Sequence, residues 1–424
     1  TWLKSSRNKT NYTVVVGRDA RPSGPMIQEL VMQTLVGLGI HVVNLGLSTT
    51  PTVEMAVVME HADGGIILTA SHNPKEWNAL KLLDHRGEFL DAKAGEAILN
   101  HVKANDSVFS AVDDLGQITI NDAYIDLHIE AILDLDMVDV KAIKKAKFKV
   151  VVDGVNSSGG IAVPLLLDAL GVQTIPLFCN PNGQFPRNPE PLKAHLTDLS
   201  QNVIKQKADF GIAVDPDVDR LAFVCEDGEM FGEEYTLVAC ADYVLRHTPG
   251  ATVINMSSSR ALHDVTVKHG QRYSASAVGE VNVVAMMKAT DAVIGGEGNG
   301  GVILPELHYG RDALVGIALF LSLLAQNPMK VSALRQTYPD YFMSKQKVEL
   351  TPELDTDALL IQMAKRYQNE RVTTIDGVKI DFNDHWVHLR KSNTEPIIRI
   401  YVEAPSQDQA DAVAQAFITE LKSL

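Results

Sequence analysis

The sequence predicts an α/β protein in which three similar mixed-sheet domains precede a C-terminal α+β domain. Three times along the 424 residues, a β-branched strand leads into a polar or glycine-containing loop, a helix, a glycine and another strand. Short apolar strands that alternate with helices are typical of parallel sheets covered on both faces. We interpret the repeat as three related units, the alternative being the rhythm that any α/β protein shows. The leading strands are predicted at residues 13–16, 149–152 and 252–255.

The fourth unit has a different pattern. Strands are predicted at residues 377–381, 386–390 and 397–403, and a helix follows at 407–421. This arrangement indicates an α+β module with a mostly antiparallel sheet. Several domains are also expected because the chain is too long for one hydrophobic core. The predicted domains are residues 1–135, 136–248, 249–345 and 346–424.

The amino-acid composition limits which kinds of binding partner the protein is expected to have. The net charge of −15 argues against a nucleic-acid surface or an acidic membrane. The three scattered cysteines suit reduced thiols in a cytoplasmic enzyme, without a disulfide framework or a zinc site. No apolar run has the length needed to cross a bilayer, and we find no signal-peptide pattern. We therefore expect a small-molecule substrate and a monomer or homodimer, and we expect that residues preceding Thr1 are missing or processed.

The first chemical motif follows an apolar strand that ends at Thr69. The next residues place Ser71, His72 and Asn73 on a loop that Pro74 stiffens. Ligands of parallel sheets bind outside the carboxyl ends of the strands, so the loop is well placed for chemistry. A serine hydroxyl needs a base, or must already be esterified, to take part in group transfer. Taken alone, the motif is also compatible with an ordinary turn.

The second motif carries three carboxylates at alternating positions after an apolar strand. Asp215, Asp217 and Asp219 can converge on one point, and Pro216 restricts the loop. Their mutual repulsion would cost several kcal/mol in a partly buried site, and Arg220 alone cannot neutralise them. A hard divalent cation removes that penalty, and Mg²⁺ suits a site that leaves room for phosphate oxygens. The alternative is an exposed acidic turn.

The third motif is the glycine-rich stretch 295–301. It leaves Glu297 and Asn299 as the side chains on an open backbone. A carboxylate there can accept hydrogen bonds from sugar hydroxyls, whereas it is unsuited to phosphate. A flexible connector is the alternative interpretation.

The fourth motif is a basic turn between two predicted strands. Two arginines, hydroxyl and amide side chains and successive backbone N–H groups make a nest that fits a dianionic phosphate. The alternative is a solvated basic turn. The candidate phosphate-binding residues are Arg390, Ser392, Asn393, Thr394 and Arg399.

Taken together and in this order, the four motifs resemble the serine, metal, sugar-recognition and phosphate loops of the α-D-phosphohexomutase family. The resemblance covers essentially the whole chain, with one motif in each domain. It implies a four-domain, heart-shaped arrangement around a central cleft and the interconversion of hexose phosphates. It also implies that Ser71 carries a phosphoryl group, which passes to the substrate and returns from a hexose 1,6-bisphosphate intermediate that turns over in the cleft.

The resemblance also implies further site residues. Arg18 lies in a strand-loop that resembles the family's first domain, and Lys81 matches a lysine near the transferring phosphate. One Mg²⁺ per chain would be held by Ser71 and the three aspartates. Arg18, Lys81 and Arg220 would then offset the remaining charge. Lys81 and His72 are both candidates for proton transfer, and the residues alone do not distinguish them.

Some features depart from the family pattern. A few dozen residues that include an arginine-containing loop near the site are absent, so we expect the chain to be impaired if it begins at Thr1. Gly301 stands where several branches have histidine, and residues 276–279 replace a usual phosphate contact. The sugar loop resembles archaeal-type mutases with phosphoglucosamine, phosphomannose and phosphoglucose assignments. We favour phosphoglucosamine mutase by analogy, with phosphomannomutase or phosphoglucomutase as the alternative and a metal-dependent sugar phosphatase as a less favoured one.

Overall fold

A computed structural model describes residues 1–7, 9–349, 355–391 and 397–423 of the chain. These residues form four β-sheets, each accompanied by helices. Within the described ranges, no helix is both long and apolar enough to span a membrane.

The first sheet has the strand order β4-β3-β1-β2-β5. Strands β1, β2, β3 and β5 run parallel, and β4 is antiparallel to β3. Helix α2 ends before Gly39, whose φ of +70° would strain any residue with a side chain. The elements are α1 (Trp2–Ser6), β1 (Tyr12–Arg18), α2 (Gly24–Gly37), β2 (Ile40–Leu47), α3 (Thr50–Met59), β3 (Gly64–Leu68), β4 (Leu80–Leu83), α4 (Ala92–Ala104) and β5 (Ile118–Ile120).

The second sheet has the order β7-β6-β8-β9, and β9 is antiparallel to β8. All residues of β8 and β9 are buried, which agrees with their continuous apolar sequence. The elements are α5 (Tyr124–Leu133), α6 (Val140–Ala146), β6 (Lys149–Asp153), α7 (Gly159–Ala169), β7 (Gln173–Leu177), α8 (Thr197–Gln206), β8 (Phe210–Val214) and β9 (Leu221–Cys225).

The third sheet repeats this arrangement in the order β11-β10-β12-β13, with β13 antiparallel to β12. The apolar helix α12 is buried from Ala313 to Leu324, because it lies in a core shared by the second and third domains. The elements are α9 (Glu233–His247), β10 (Ala251–Asn255), α10 (Ala261–Lys268), β11 (Tyr273–Ser276), α11 (Glu280–Thr290), β12 (Ala292–Glu297), β13 (Gly301–Ile303), α12 (Ala313–Gln326) and α13 (Val331–Arg335).

The C-terminal domain is an antiparallel sheet in the order β14-β18-β17-β16-β15, as the sequence predicts. Its helices contribute apolar side chains to one separate core. The elements are β14 (Phe342–Glu349), α14 (Thr356–Arg366), β15 (Arg371–Thr373), β16 (Val378–Asp381), β17 (Trp386–Lys391), β18 (Ile397–Ala404) and α15 (Gln407–Ser423).

Three segments near the predicted domain boundaries make contacts across those boundaries. Helix α5, assigned to the first domain, places Ile129 and Ile132 in the core shared by the second and third. Helix α9, assigned to the second domain, packs against α10, α12 and β12 of the third. Strand β14 begins at Phe342 and pairs with β18, so the fourth sheet starts before the predicted boundary.

The first three sheets share one topology, which positions the motifs. In each sheet the first strand lies between the second and third, and the fourth strand returns antiparallel beside the third. The serine, metal and sugar motifs all lie where the third strand passes into the fourth: between β3 and β4, between β8 and β9, and between β12 and β13. The mixed sheets of the prediction are therefore confirmed, and each motif lies at the same topological position.

Candidate active site

The serine loop brings Ser71 into contact with the metal loop. Ser71 lies just beyond the end of β3, and its Oγ donates to Asp215 Oδ2 over 2.8 Å. The backbone of Ser71 is left-handed, with a φ of 48°, which is strained for a residue with a side chain. Thr69 Oγ1 accepts the Ser71 N–H at 2.9 Å, and His72 Nδ1 lies 3.5 Å from Ser71 Oγ. The hydroxyl is therefore held at the edge of the acidic cluster.

The three aspartates form a buried cluster. Each can place one carboxylate oxygen within 4.8 Å of the others, and all three side chains are fully buried. Backbone N–H groups of Asp219 and Arg220 both donate to Asp215 Oδ1 at 3.1 Å. The loop also contains a strained residue, since Val218 is β-branched and has a φ of 66°. Such strain persists only where the surrounding structure enforces it.

The cluster has the donor set of a hard cation. Among the described residues, no hydrogen-bond donor reaches Asp217 Oδ1 or Asp219 Oδ1, although both atoms are buried. A buried carboxylate oxygen without a partner is costly, and a divalent cation would compensate it. Burial, together with Asp219 and Asp217, raises the pKa of Asp215 well above its ordinary value. A bound cation would favour its ionised form, so the residues present fit a metal ion.

Lys81 lies beside the cluster on strand β4. Its Nζ is 2.6 Å from Asp217 Oδ2 and 2.9 Å from Asp219 Oδ2. Burial alone would lower the pKa of this ammonium, but the two carboxylates outweigh burial and raise it. Lys81 is therefore a fixed positive charge in this arrangement.

Arg311 connects the metal loop to the sugar loop, and the sequence did not reveal it. Its guanidinium lies 2.8 Å from Asp219 Oδ2, 2.7 Å from Glu280 Oε2 and 3.0 Å from Glu297 Oε2. The side chain is buried, and the next residue, Asp312, accepts the Leu314 N–H at 2.8 Å to cap α12. An Arg-Asp pair directly before a mostly apolar helix was the available signal.

The sugar motif is a tight hairpin rather than an open connector. Glu297 ends β12 and is 5% exposed, with Oε1 accepting from Asn255 Nδ2 at 2.9 Å and from Gly279 N at 3.2 Å. Asn299 Oδ1 accepts the Gly301 N–H at 3.3 Å. A side chain at position 298 would clash with Glu234, since a Cβ there would lie 1.9 Å from Glu234 Oε2. The glycines thus allow close packing of this hairpin.

Two predicted cationic residues are placed differently from one another. Arg220 lies by the cluster, with Nη1 2.9 Å from Glu190 Oε1 and Nε 4.0 Å from Asp219 Oδ1. Arg18 lies on the α2 side of the sheet, where its Nε donates to Gln28 Oε1 at 3.0 Å. Alternating strand residues point to opposite faces, and Arg18 shares its face with Val14 and Val16. The guanidinium that reaches the serine loop belongs instead to Arg21.

The predicted phosphate cluster is described in part. Arg390 contacts both carboxylate oxygens of Asp376, with its Nε 2.9 Å from Oδ1 and 2.8 Å from Oδ2. Arg399 is the register partner of Arg390 across β17 and β18. Asp376 Oδ2 also accepts the Val278 N–H at 3.0 Å, which joins the fourth domain to the third. Ser392, Asn393 and Thr394 lie outside the described residues.

Comparisons with known proteins agree with this architecture. Models of the phosphoglucomutase/phosphomannomutase family match the chain along its length: alpha/beta/alpha domain I at residues 1–109, domain II at 123–228, domain III at 232–341 and the C-terminal domain at 347–420.

Individual relatives give the same result. A phosphoglucomutase/phosphomannomutase of Thermococcus kodakarensis is 37% identical over 94% of this chain and 87% of its own length. A phosphoglucosamine/phosphogalactosamine mutase of Sulfurisphaera tokodaii is 32% identical over 98% of this chain and 91% of its own. The crystal structure of a phosphoglucomutase/phosphomannomutase family protein of Burkholderia thailandensis has a TM-score of 0.85 at 26% identity, covering 99% and 90% of the two chains. The chain therefore belongs to the phosphoglucomutase/phosphomannomutase family, and it is a phosphohexomutase, an isomerase.

Proposed function

We propose that this phosphohexomutase interconverts glucosamine 6-phosphate and glucosamine 1-phosphate, with Ser71 as the phosphoryl carrier. The observation that carries the assignment of Ser71 is its 2.8 Å contact with Asp215 at the edge of the buried acidic cluster. The similarity to the mutase of S. tokodaii supports the amino sugar. The similarity to the T. kodakarensis protein keeps glucose and mannose phosphates as the alternative.

In the proposed reaction, phosphorylated Ser71 donates its phosphoryl group to a free hydroxyl of the sugar phosphate. The bond between phosphorus and Ser71 Oγ breaks, a bond to the sugar oxygen forms, and the hydroxyl proton leaves to a base. The hexose 1,6-bisphosphate then turns over, and Ser71 recovers a phosphoryl group from the other position. The net result is isomerisation with no change in the enzyme.

We assign the neutralisation of the phosphate's negative charge to the metal ion and to the cationic side chains beside the acidic cluster. Asp215, Asp217 and Asp219, with Ser71, would hold one Mg²⁺, which when bound stabilises negative charge on the transferring group. Lys81 contributes a positive charge that two of these carboxylates hold in place. Arg220, with Nε 4.0 Å from Asp219 Oδ1, adds a further positive charge beside the cluster.

His72 is the proposed proton acceptor. The residues alone left Lys81 and His72 as alternatives, and the geometry favours the histidine. The Lys81 ammonium is bound to two carboxylates, whereas His72 Nδ1 lies 3.5 Å from Ser71 Oγ. Burial and the neighbouring Arg220 lower the pKa of His72, so its imidazole is available as a base near neutral pH.

Substrate recognition is assigned to the third and fourth domains. Glu297 and Asn299 would contact sugar hydroxyls, with Arg311 fixing the orientation of the Glu297 carboxylate. The phosphate that is not reacting would be held by the basic turn of the fourth domain. Its proposed residues are Arg390, Ser392, Asn393, Thr394 and Arg399.

The proposal is tested by comparing substrates and by locating the phosphoryl group. Specificity constants for the 1-phosphates of glucosamine, glucose and mannose should be highest for glucosamine, and equal or lower values for glucosamine would refute that choice. Intact and peptide mass spectrometry should find a phosphoryl adduct confined to the peptide that contains Ser71. Ser71→Ala should lose turnover, with Ser5→Ala as the control, since Ser5 is exposed and contacts Trp2 and His101. Normal mutase activity in Ser71→Ala would refute the mechanism.

A further inference from the structure

The serine loop is held by a buried guanidinium that the reaction scheme does not use. Arg21 is fully buried, although arginine is among the side chains least often found inside a protein. Its Nε donates to Asp19 Oδ2 at 2.9 Å. The terminal nitrogens donate to backbone carbonyls of one loop, namely those of Ser71, Asn73, Pro74 and Trp77.

These contacts use the full hydrogen-bonding capacity of the side chain. A guanidinium has five N–H donors in a planar fork, and each of the five has an acceptor here. The distances to the carbonyls of Asn73, Pro74 and Trp77 are 2.8, 2.6 and 2.9 Å. The carbonyls therefore converge on one cation, which closes residues 71–77 into a compact loop.

The same group of residues fixes the backbone of Ser71 on both sides. Thr69 Oγ1 accepts the Ser71 N–H and donates to Asp19 Oδ2 at 2.8 Å, and Asp19 binds Arg21. The carbonyl of Ser71 in turn accepts from Arg21 Nη2. A strained left-handed residue is thus held through its N–H and its C=O by one connected network.

We infer that Arg21 is a positioning residue for the nucleophile. By binding the Ser71 carbonyl it maintains the left-handed backbone that directs Oγ towards Asp215, and it touches no reacting atom itself. This inference rests on the proposed role of Ser71. Lysine cannot replace it, because an ammonium offers its donors from a single point and cannot span four carbonyls.

Loss of Arg21 should affect turnover rather than substrate binding. Without the guanidinium the loop relaxes and Ser71 Oγ moves from its place beside the acidic cluster. A displacement of 1 Å at a reacting group can cost about 100-fold in rate. The proposed sugar and phosphate contacts lie on other domains, so KM should change little.

Arg21→Lys and Arg21→Gln test the inference, with Val57→Ala as a control that removes buried volume from the same domain. Both Arg21 variants should lower kcat by about 100-fold with KM within threefold of wild type. In hydrogen exchange, the amides of Ser71, Asn73 and Trp77 should exchange at least about tenfold faster, since their loop is no longer closed. The control should keep the wild-type kcat and loop exchange. The lysine variant keeps a charge opposite Asp19, which favours a folded protein.

Each outcome decides the inference. Wild-type kcat in Arg21→Lys, or accelerated exchange without loss of kcat, would overturn it, and so would a kcat loss accompanied by unchanged loop exchange. If the wild-type protein carries no phosphoryl group on Ser71, the proposed mechanism fails instead. The exchange rates would then still show whether Arg21 holds the loop.

Discussion

Replacing Arg311 with methionine should both destabilise the protein and separate the metal loop from the sugar loop. The guanidinium lies within 3.0 Å of three carboxylates, those of Asp219, Glu280 and Glu297. Methionine fills similar space but leaves the carboxylates without their shared cation. Removing one partner of a buried ion pair costs about 3–5 kcal/mol, because the remaining charge stays buried.

The expected size of the effect can be stated as a melting temperature. The second and third domains share one core, and we treat them as one cooperative unit. For a unit of about 150–250 residues, each kcal/mol of lost stability lowers Tm by about 2–4 °C. The lower value of about 3 kcal/mol therefore corresponds to about 6–12 °C. Activity should fall by at least about 100-fold, because Asp219 and Glu297 lose the group that orients both. Arg311→Lys should lie between wild type and Arg311→Met, since an ammonium cannot bridge all three carboxylates.

Calorimetry and steady-state kinetics measure both effects, with Arg86→Met as the matched control. Arg86 pairs with Asp84 at 2.7 Å on the surface, where its side chain is 57% exposed. Exposed pairs contribute about 0–1 kcal/mol, so this change should leave Tm within about 4 °C of wild type. An Arg311→Met protein that melts like the control, with unchanged kcat/KM, would refute the bridging role.

Three further predictions concern the metal, the phosphate cluster and pH. Asp217→Asn should weaken Mg²⁺ binding and lower the rate by orders of magnitude; calorimetric titration measures this, and full activity after chelation would contradict it. Arg390→Ala should raise KM and release more bisphosphate intermediate, which chromatography detects. A normal KM together with a normal amount of released intermediate would show that other residues hold the phosphate. Burial lowers the pKa of His388 to about 4, below the unfolded value of about 6.5. The stability that the neutral His388 ring contributes to the folded protein is therefore complete above pH 6.5. Up to about 3 kcal/mol of the free energy of unfolding is lost as the pH falls to 4, because the unfolded state binds the proton first. Urea unfolding of His388→Gln should show a weaker pH dependence; equal slopes would contradict this.

Local patterns made the serine and metal motifs predictable. The Ser71 loop and the Asp215–Asp219 loop each begin at the end of a short apolar strand, so their position at a sheet edge could be inferred from adjacent residues. Arg311 could not be found in this way. Its partners Asp219 and Glu280 lie 92 and 31 residues away, and only the tertiary fold brings them together. The role of Arg21 could not be found for the same reason, since its backbone-carbonyl acceptors lie 50 to 56 residues away in the sequence.

Two features of the structure could not be read from a single element of the sequence. The family resemblance implied a site role for Arg18, whereas strand alternation turns this side chain towards Gln28 on α2. The predicted boundary between residues 345 and 346 falls inside a polar segment, Phe342–Glu349, which forms an edge strand paired with β18. Polar residues are common on an exposed edge strand, so their sequence resembles that of a loop.

The repeated topology explains how loops from separate sheets can serve one reaction. Each of the first three motifs lies between a parallel strand and its antiparallel neighbour, so hydrogen-bonded strands anchor both ends of the loop. The fourth motif likewise lies between the paired strands β17 and β18. Side chains on such loops keep their local geometry when a domain moves, because the strands carry them as a unit. In the proposed reaction, a bisphosphorylated sugar has to present its two ends in turn to one nucleophile. We therefore expect domain motion to change the distances between the first three loops while leaving the internal geometry of each of them unchanged.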